Sequence, residues 1–164
     1  MTYTDPRSYL YQPGLLDPDA AQRLTREALK ACDDGELYLQ YSATESFGFD
    51  DGRLKMADYS TGSGFGLRGV SGEMTGFSHA NDMSEAAIRR AGETLKLLDP
   101  AKDQPAAPPR KNNRHLYTDG NPLELVPFAQ KVALCQKIDA AARARDPRVA
   151  QVSVSLSGSW TVVE

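Results

Sequence analysis

Along the first third of the chain the spacing of apolar residues changes from a helical period to a strand period. Ala21, Leu24, Ala28 and Ala31 recur at intervals of three and four, which places them on one stripe of a helix. Asp17-Pro18 marks its start, because the carboxylate can cap the first free N–H groups and proline has none to lose at the first helical position. Gly35 suits the stop. From Glu36 onward Leu37, Leu39, Tyr41, Ala43, Phe47 and Phe49 alternate with polar or small residues, predicting a long strand with one wet face. Asp51-Gly52 is a two-residue hairpin signal, since a type I′ turn needs positive φ at both centres. Residues 53–60 return as a second strand, residues 62–70 read as a third, and a turn at Ser71-Gly72 leads into a fourth, Met74–Ala80.

Asp82 or Ser84 can cap a second helix, whose buried face is Ala87, Ile88, Ala91, Leu95 and Leu98. Asp99-Pro100 ends it, and residues 99–116, with Pro105, Pro108 and Pro109, read as a proline-rich linker. A third helix starts near Pro127 with Phe128, Val132, Cys135, Ile138 and Ala142 as its expected apolar face, and Asp146-Pro147 stops it. Val152, Val154, Leu156, Trp160 and Val162 then alternate with polar partners in a last strand. The expected fold is α+β: an antiparallel or mixed five-stranded sheet with three helices packed mainly on one face. Residues 1–164 read as a single domain with an extended arm at 1–16, and the final residues lie inside a strand pattern, so a truncated protein is expected.

The segment 62–70 contains G-x-G-x-x-G at Gly64, Gly66 and Gly69. A phosphate-cradling loop must leave a strand and open a helix. Here strand patterns lie on both sides, so twist, bulging or close backbone approach is the reading of these glycines. A formal charge of −3 and a pI near 5.4 argue against a nucleic-acid surface. No apolar run is long enough for a membrane helix and Met1 to Leu10 lacks the pattern of a signal peptide, so a cytoplasmic location is expected.

The two cysteines, Cys32 and Cys135, cannot build a secreted disulfide framework and read as buried, reduced side chains. His79 and His115 lie far apart, without the one-turn spacing that would set two imidazoles on one face for a metal. Glu45, Asp50, Asp51, Asp58, Glu73 and Asp82 surround the strands and read as turn, cap and edge groups rather than an acid–base pair. No catalytic or metal-binding residue is assigned. Arg68, Glu73 and His79, polar groups on the glycine-rich hairpin, are the candidate substrate contacts.

Gly66-Leu67-Arg68, followed by Ser71-Gly72-Glu73, Thr75-Gly76-Phe77 and Ala80, resembles the beginning of TldD/PmbA proteins, closer to TldD than to its sister PmbA (TldE). Arg148-Val149 and Ser155-Leu156-Ser157-Gly158 extend the resemblance to nearly the whole chain. It implies a zinc-dependent peptidase, some of whose members are described as modulators of DNA gyrase, built from paired identical or sister subunits and cleaving extended or unfolded peptides. In the family the zinc is held by an H-E-x-x-x-H-type motif and a cysteine of a later metallopeptidase domain, so no cofactor is expected in this chain and none of its cysteines takes a ligand role. The implied function is that of an amino-terminal domain contributing to subunit assembly and the substrate chamber, inactive alone. The alternative is a freestanding, non-catalytic binding or oligomerisation module.

Overall fold

The computed structural model describes residues 5–96 and 120–164. After a short 3-10 turn, Pro6–Tyr9, the elements are α1 (Pro18–Ala28), β1 (Asp34–Asp50), β2 (Arg53–Ser71), β3 (Met74–Ala80), α2 (Glu85–Leu95), α3 (Pro122–Leu125), α4 (Phe128–Arg145) and β4 (Ser153–Val163). The strands form one sheet in the order β3-β2-β1-β4.

The expected count of five strands and three helices is corrected to four strands and four helices among the described residues. The stretches 53–60 and 62–70 are one 19-residue strand, because nothing at 61–64 turns the chain. The glycines with positive φ are Gly14, Gly52 and Gly72, so Gly62 and Gly64 pass through extended. The added helix is the single turn α3, capped by the Asn121 side chain, which accepts from Leu123 N–H at 3.0 Å.

Local signals otherwise act as their chemistry requires. Asp17 accepts from the Ala20 N–H at 2.8 Å and caps α1. Asp51 and Gly52 take φ of 46° and 73°, the left-handed pair a type I′ hairpin needs. Ser84 is the cap of α2, accepting from Ala87 N–H at 3.2 Å, while Asp82 accepts from Ser84 N–H at 3.0 Å. The second hairpin turns at Gly72 and Glu73, one residue later than expected, with Gly72 at φ 58°.

Contacts divide the chain into two compact units, and β1 and β2 contribute residues to both. One unit, which among the described residues comprises 5–41, 62–96 and 162–164, contains α1 and α2. There α1 packs on α2 and α2 on β3, around Leu24, Leu39, Phe65, Leu67, Ile88 and Leu95, each at most 4% exposed. Truncating Leu67 or Ile88 to alanine would cost about 2–5 kcal/mol.

The other unit comprises residues 42–61 and 120–161, with α4 as its long helix. Its buried apolar set is small: Ala43, Phe47, Phe49, Leu123 and Cys135. The expected inward face of α4 is wrong on two counts. Phe128 and Ile138 are 53% and 44% exposed, and the residues facing inward are Lys131, Cys135 and Asp139. Polar contacts set this rotation. Lys131 Nζ donates to both Glu45 carboxylate oxygens (2.6 and 2.7 Å) and to the Leu123 carbonyl (2.7 Å). Further along the helix the Asp139 carboxylate accepts from Arg143 Nε at 3.2 Å. The remaining oxygen of Asp139, Oδ1, is buried without a partner among the described residues.

Candidate functional site on the glycine-rich hairpin

β2 and β3 pair antiparallel with Arg68 opposite Phe77, Gly66 opposite His79 and Leu67 opposite Ser78. Cross-strand partners point to the same side of a sheet, so Arg68, Phe77 and His79 share the face opposite to buried Leu67. The structure therefore brings two of the three candidate residues together. Glu73 sits in the turn at the hairpin tip, exposed and away from both.

Arg68 is braced by neighbouring carboxylates. Its Nε donates to Glu36 Oε1 at 3.0 Å and its Nη2 lies 3.6 Å from Asp34 Oδ2. These contacts, Glu36 first, raise its pKa further and keep the guanidinium cationic. The His79 ring stacks on Phe77 with centroids 5.7 Å apart, and Phe77, 64% exposed, was missed as a candidate although it is the most prominent apolar group on this face. Its aromatic type at an outward strand position was the available signal. Among the described residues β3 lies at the edge of the sheet and pairs with β2 alone.

The three motif glycines all lie inside β2. A Cβ at Gly69 would stand 2.9 Å from Cys32 Sγ and 3.0 Å from Leu95, and one at Gly64 would stand 2.8 Å from the Ala80 carbonyl. Close approach is their role, and no helix opens after them.

The remaining titratable residues have local duties. Burial, then the charge of Asp33, pushes the Cys32 thiol up, which keeps it protonated and a poor nucleophile. Cys135 is buried on α4. Asp50 accepts from Ser153 Oγ (2.8 Å) and Gln151 Nε2 (3.2 Å), and Asp51 accepts from Arg143. Glu45 departs from its expected role as an edge group: its side chain is 13% exposed and closed onto Lys131. His115 lies outside the described residues. Among the described residues no three His, Cys, Asp or Glu side chains stand where they could hold one metal ion, and no helix is long and apolar enough to cross a membrane.

Two family profiles match in succession: "PmbA/TldA metallopeptidase domain 1" at residues 35–97 and "PmbA/TldA metallopeptidase central domain" at residues 121–164. Curated relatives include the metalloprotease TldD homologues of Buchnera aphidicola (Schizaphis graminum), 37% identical over 78% of this chain and 27% of that protein, and of Haemophilus influenzae, 36% identical over 80% and 28%. The chain thus spans under a third of the length of these relatives. The fold is also found in a Bacteroides thetaiotaomicron protein described as a modulator of DNA gyrase (TM-score 0.61, 18% identity, 88% of this chain and 36% of that one). TldE from Thermococcus kodakarensis shares it too (0.59, 20%, 88% and 34%). With two consecutive family profiles in register and curated relatives above one-third identity across most of its length, this chain belongs to the PmbA/TldD family of metallopeptidases.

Proposed function

We propose that this chain is the amino-terminal part of a TldD-type zinc-dependent peptidase and that it contributes to subunit assembly and to the wall of the substrate chamber. The observation that carries the reading is the order of the matches: domain 1 and then the central domain, within relatives of which the matched stretch is under a third. The described histidine and cysteines do not fit a zinc site, since His79 is stacked on Phe77, Cys32 is partly buried in the α1–β1 connection and Cys135 is buried on α4.

In this reading the partner is an identical or PmbA/TldE-type subunit and the substrate an extended or unfolded peptide, handled in the cytoplasm. The edge position of β3 among the described residues supports it, because main-chain pairing along a strand edge holds a peptide with little regard to sequence. Phe77 and Arg68 flank that edge with an aromatic face and a fixed cation. Peptide cleavage by the full-length protein tests this. Proline placed along β3, or Phe77→Ala with Arg68→Ala, should raise KM with little change in kcat. Unchanged kinetics in all of these variants would remove β3 from the substrate path.

A further inference from the structure

Gly66 is the motif glycine whose close neighbour is an outward-facing ring. A Cβ there would stand 3.2 Å from Phe77 Cε2 and 3.3 Å from Phe77 Cζ. Gly66 pairs with His79, so it belongs to the outward face, and yet it is buried. The Phe77 ring therefore lies across the strand onto the Gly66 backbone, a seat that a side chain at 66 would fill. His79 stands against the same ring, with centroids 5.7 Å and planes 29° apart. Seat and neighbour hold the ring in one place while Phe77 stays largely exposed. A ring fixed in advance loses little freedom when another group meets it.

Charge does not decide what such a ring meets. Arg68, the cation opposite Phe77, is already held by Glu36 at 3.0 Å and by Asp34 at 3.6 Å. Along β3 the outward residues are Thr75, Phe77 and His79, whereas Gly76, Ser78 and Ala80, turned the other way, are small. A strand paired with β3 sets alternate side chains on the face of the rings and the others over the small residues. The two faces therefore treat neighbouring positions of that strand differently, and the ring face favours a flat, neutral side chain.

We propose that Phe77, seated on Gly66 and flanked by His79, is a specificity subsite that takes an aromatic side chain of an extended peptide. The proposal rests on the reading of β3 as a peptide-holding strand and adds to it a choice of residue type. Main-chain pairing supplies binding without regard to sequence. Ring-to-ring contact, offset or edge-to-face, then selects the peptide residue set beside Phe77 or, two positions along, beside His79. The position between them points to the other face and takes no part in the choice.

The test is cleavage by the full-length protein of an alanine–serine host peptide in which one tyrosine, leucine or arginine is moved a position at a time. The tyrosine-to-leucine ratio of kcat/KM should reach about fivefold at one position, or at two positions spaced by two, and fall to about one at the position next to it. Phe77→Leu should bring the ratio to about one everywhere, and Phe77→Trp should keep it. Gly66→Val, which leaves Phe77 in the chain but fills its seat, should lower it as well. A parent ratio near unity at every position, a preference that does not alternate, or a ratio unmoved by Phe77→Leu would each overturn the proposal. If Phe77→Leu lowered the melting temperature and left the ratio alone, the ring would be a cover for Gly66 only. Arginine outperforming tyrosine at the same position would put charge in place of stacking and overturn it too. Should the ratio fail while proline along β3 still raises KM, only the subsite falls; indifference to those prolines removes the peptide-holding strand as well.

Discussion

Replacing Lys131 by methionine isolates what holds α4 in place. Methionine keeps an unbranched side chain one atom shorter while removing three hydrogen bonds, two to Glu45 and one to the Leu123 carbonyl. Glu45, only 13% exposed at its side chain, then keeps a charge that water can scarcely reach. Breaking a buried pair from one side costs about 3–5 kcal/mol, a large share of the roughly 5–15 kcal/mol that keeps a domain folded. At a urea dependence of about 2 kcal/mol per molar, the midpoint should fall by roughly 1.5–2.5 M. Trp160, the single tryptophan, lies in β4 within the same unit and reports the transition by fluorescence. Adding Glu45→Leu to Lys131→Met should recover most of the loss, since two apolar side chains leave no stranded charge. If Lys131→Met alone unfolds within about 1 kcal/mol of the parent, or the double variant is no better than the single, the ion pair does not set the helix.

Three further outcomes follow from local geometry. Gly69→Ala forces a Cβ to within 2.9 Å of Cys32 Sγ and 3.0 Å of Leu95, and should destabilise by about 1–3 kcal/mol in chemical denaturation; an unchanged midpoint would show that the sheet yields there without strain. Ser84→Ala removes the cap bond to Ala87 and should cost about 1 kcal/mol, with amide exchange accelerated over the first turn of α2; no acceleration there would contradict the cap. Hydrogen bonds from Ser153 and then Gln151 hold the Asp50 carboxyl below its usual range. A folded pKa below the unfolded one contributes stability above about pH 4 that disappears as pH falls through the folded value. Ser153→Ala should therefore be less stable than the parent at pH 6 and converge with it on acidification, whereas a constant difference down to pH 2 would argue against the linkage.

Much of the architecture was legible in the sequence because its determinants are local. Alternation from Leu37 to Phe49, the Asp51-Gly52 turn and the Asp17-Pro18 cap act through nearest neighbours, and each stands where its chemistry puts it. Strand number failed at 61–64, since glycine permits a turn without requiring one and pairing decided for continuity. The face of α4 failed for a different reason. Phe128, Val132, Cys135, Ile138 and Ala142 make a plausible apolar stripe, but Lys131, Cys135 and Asp139, spaced four apart, make the one that is used. That choice depends on Glu45, far away along the chain and poised to accept Lys131. On the hairpin, polarity alone selected Arg68, Glu73 and His79; the strand register, which sets Arg68 opposite Phe77 and Gly66 opposite His79, is what brings Arg68, Phe77 and His79 to one side.

A helix seated on grease alone can roll several tens of degrees at small energetic cost, because dispersion contacts have no preferred angle. α4 is instead keyed like a shaft by an ammonium group with three fixed acceptors. Its azimuth is thereby decoupled from its own hydrophobicity, leaving Leu134 and Ile138 free to vary without turning the helix.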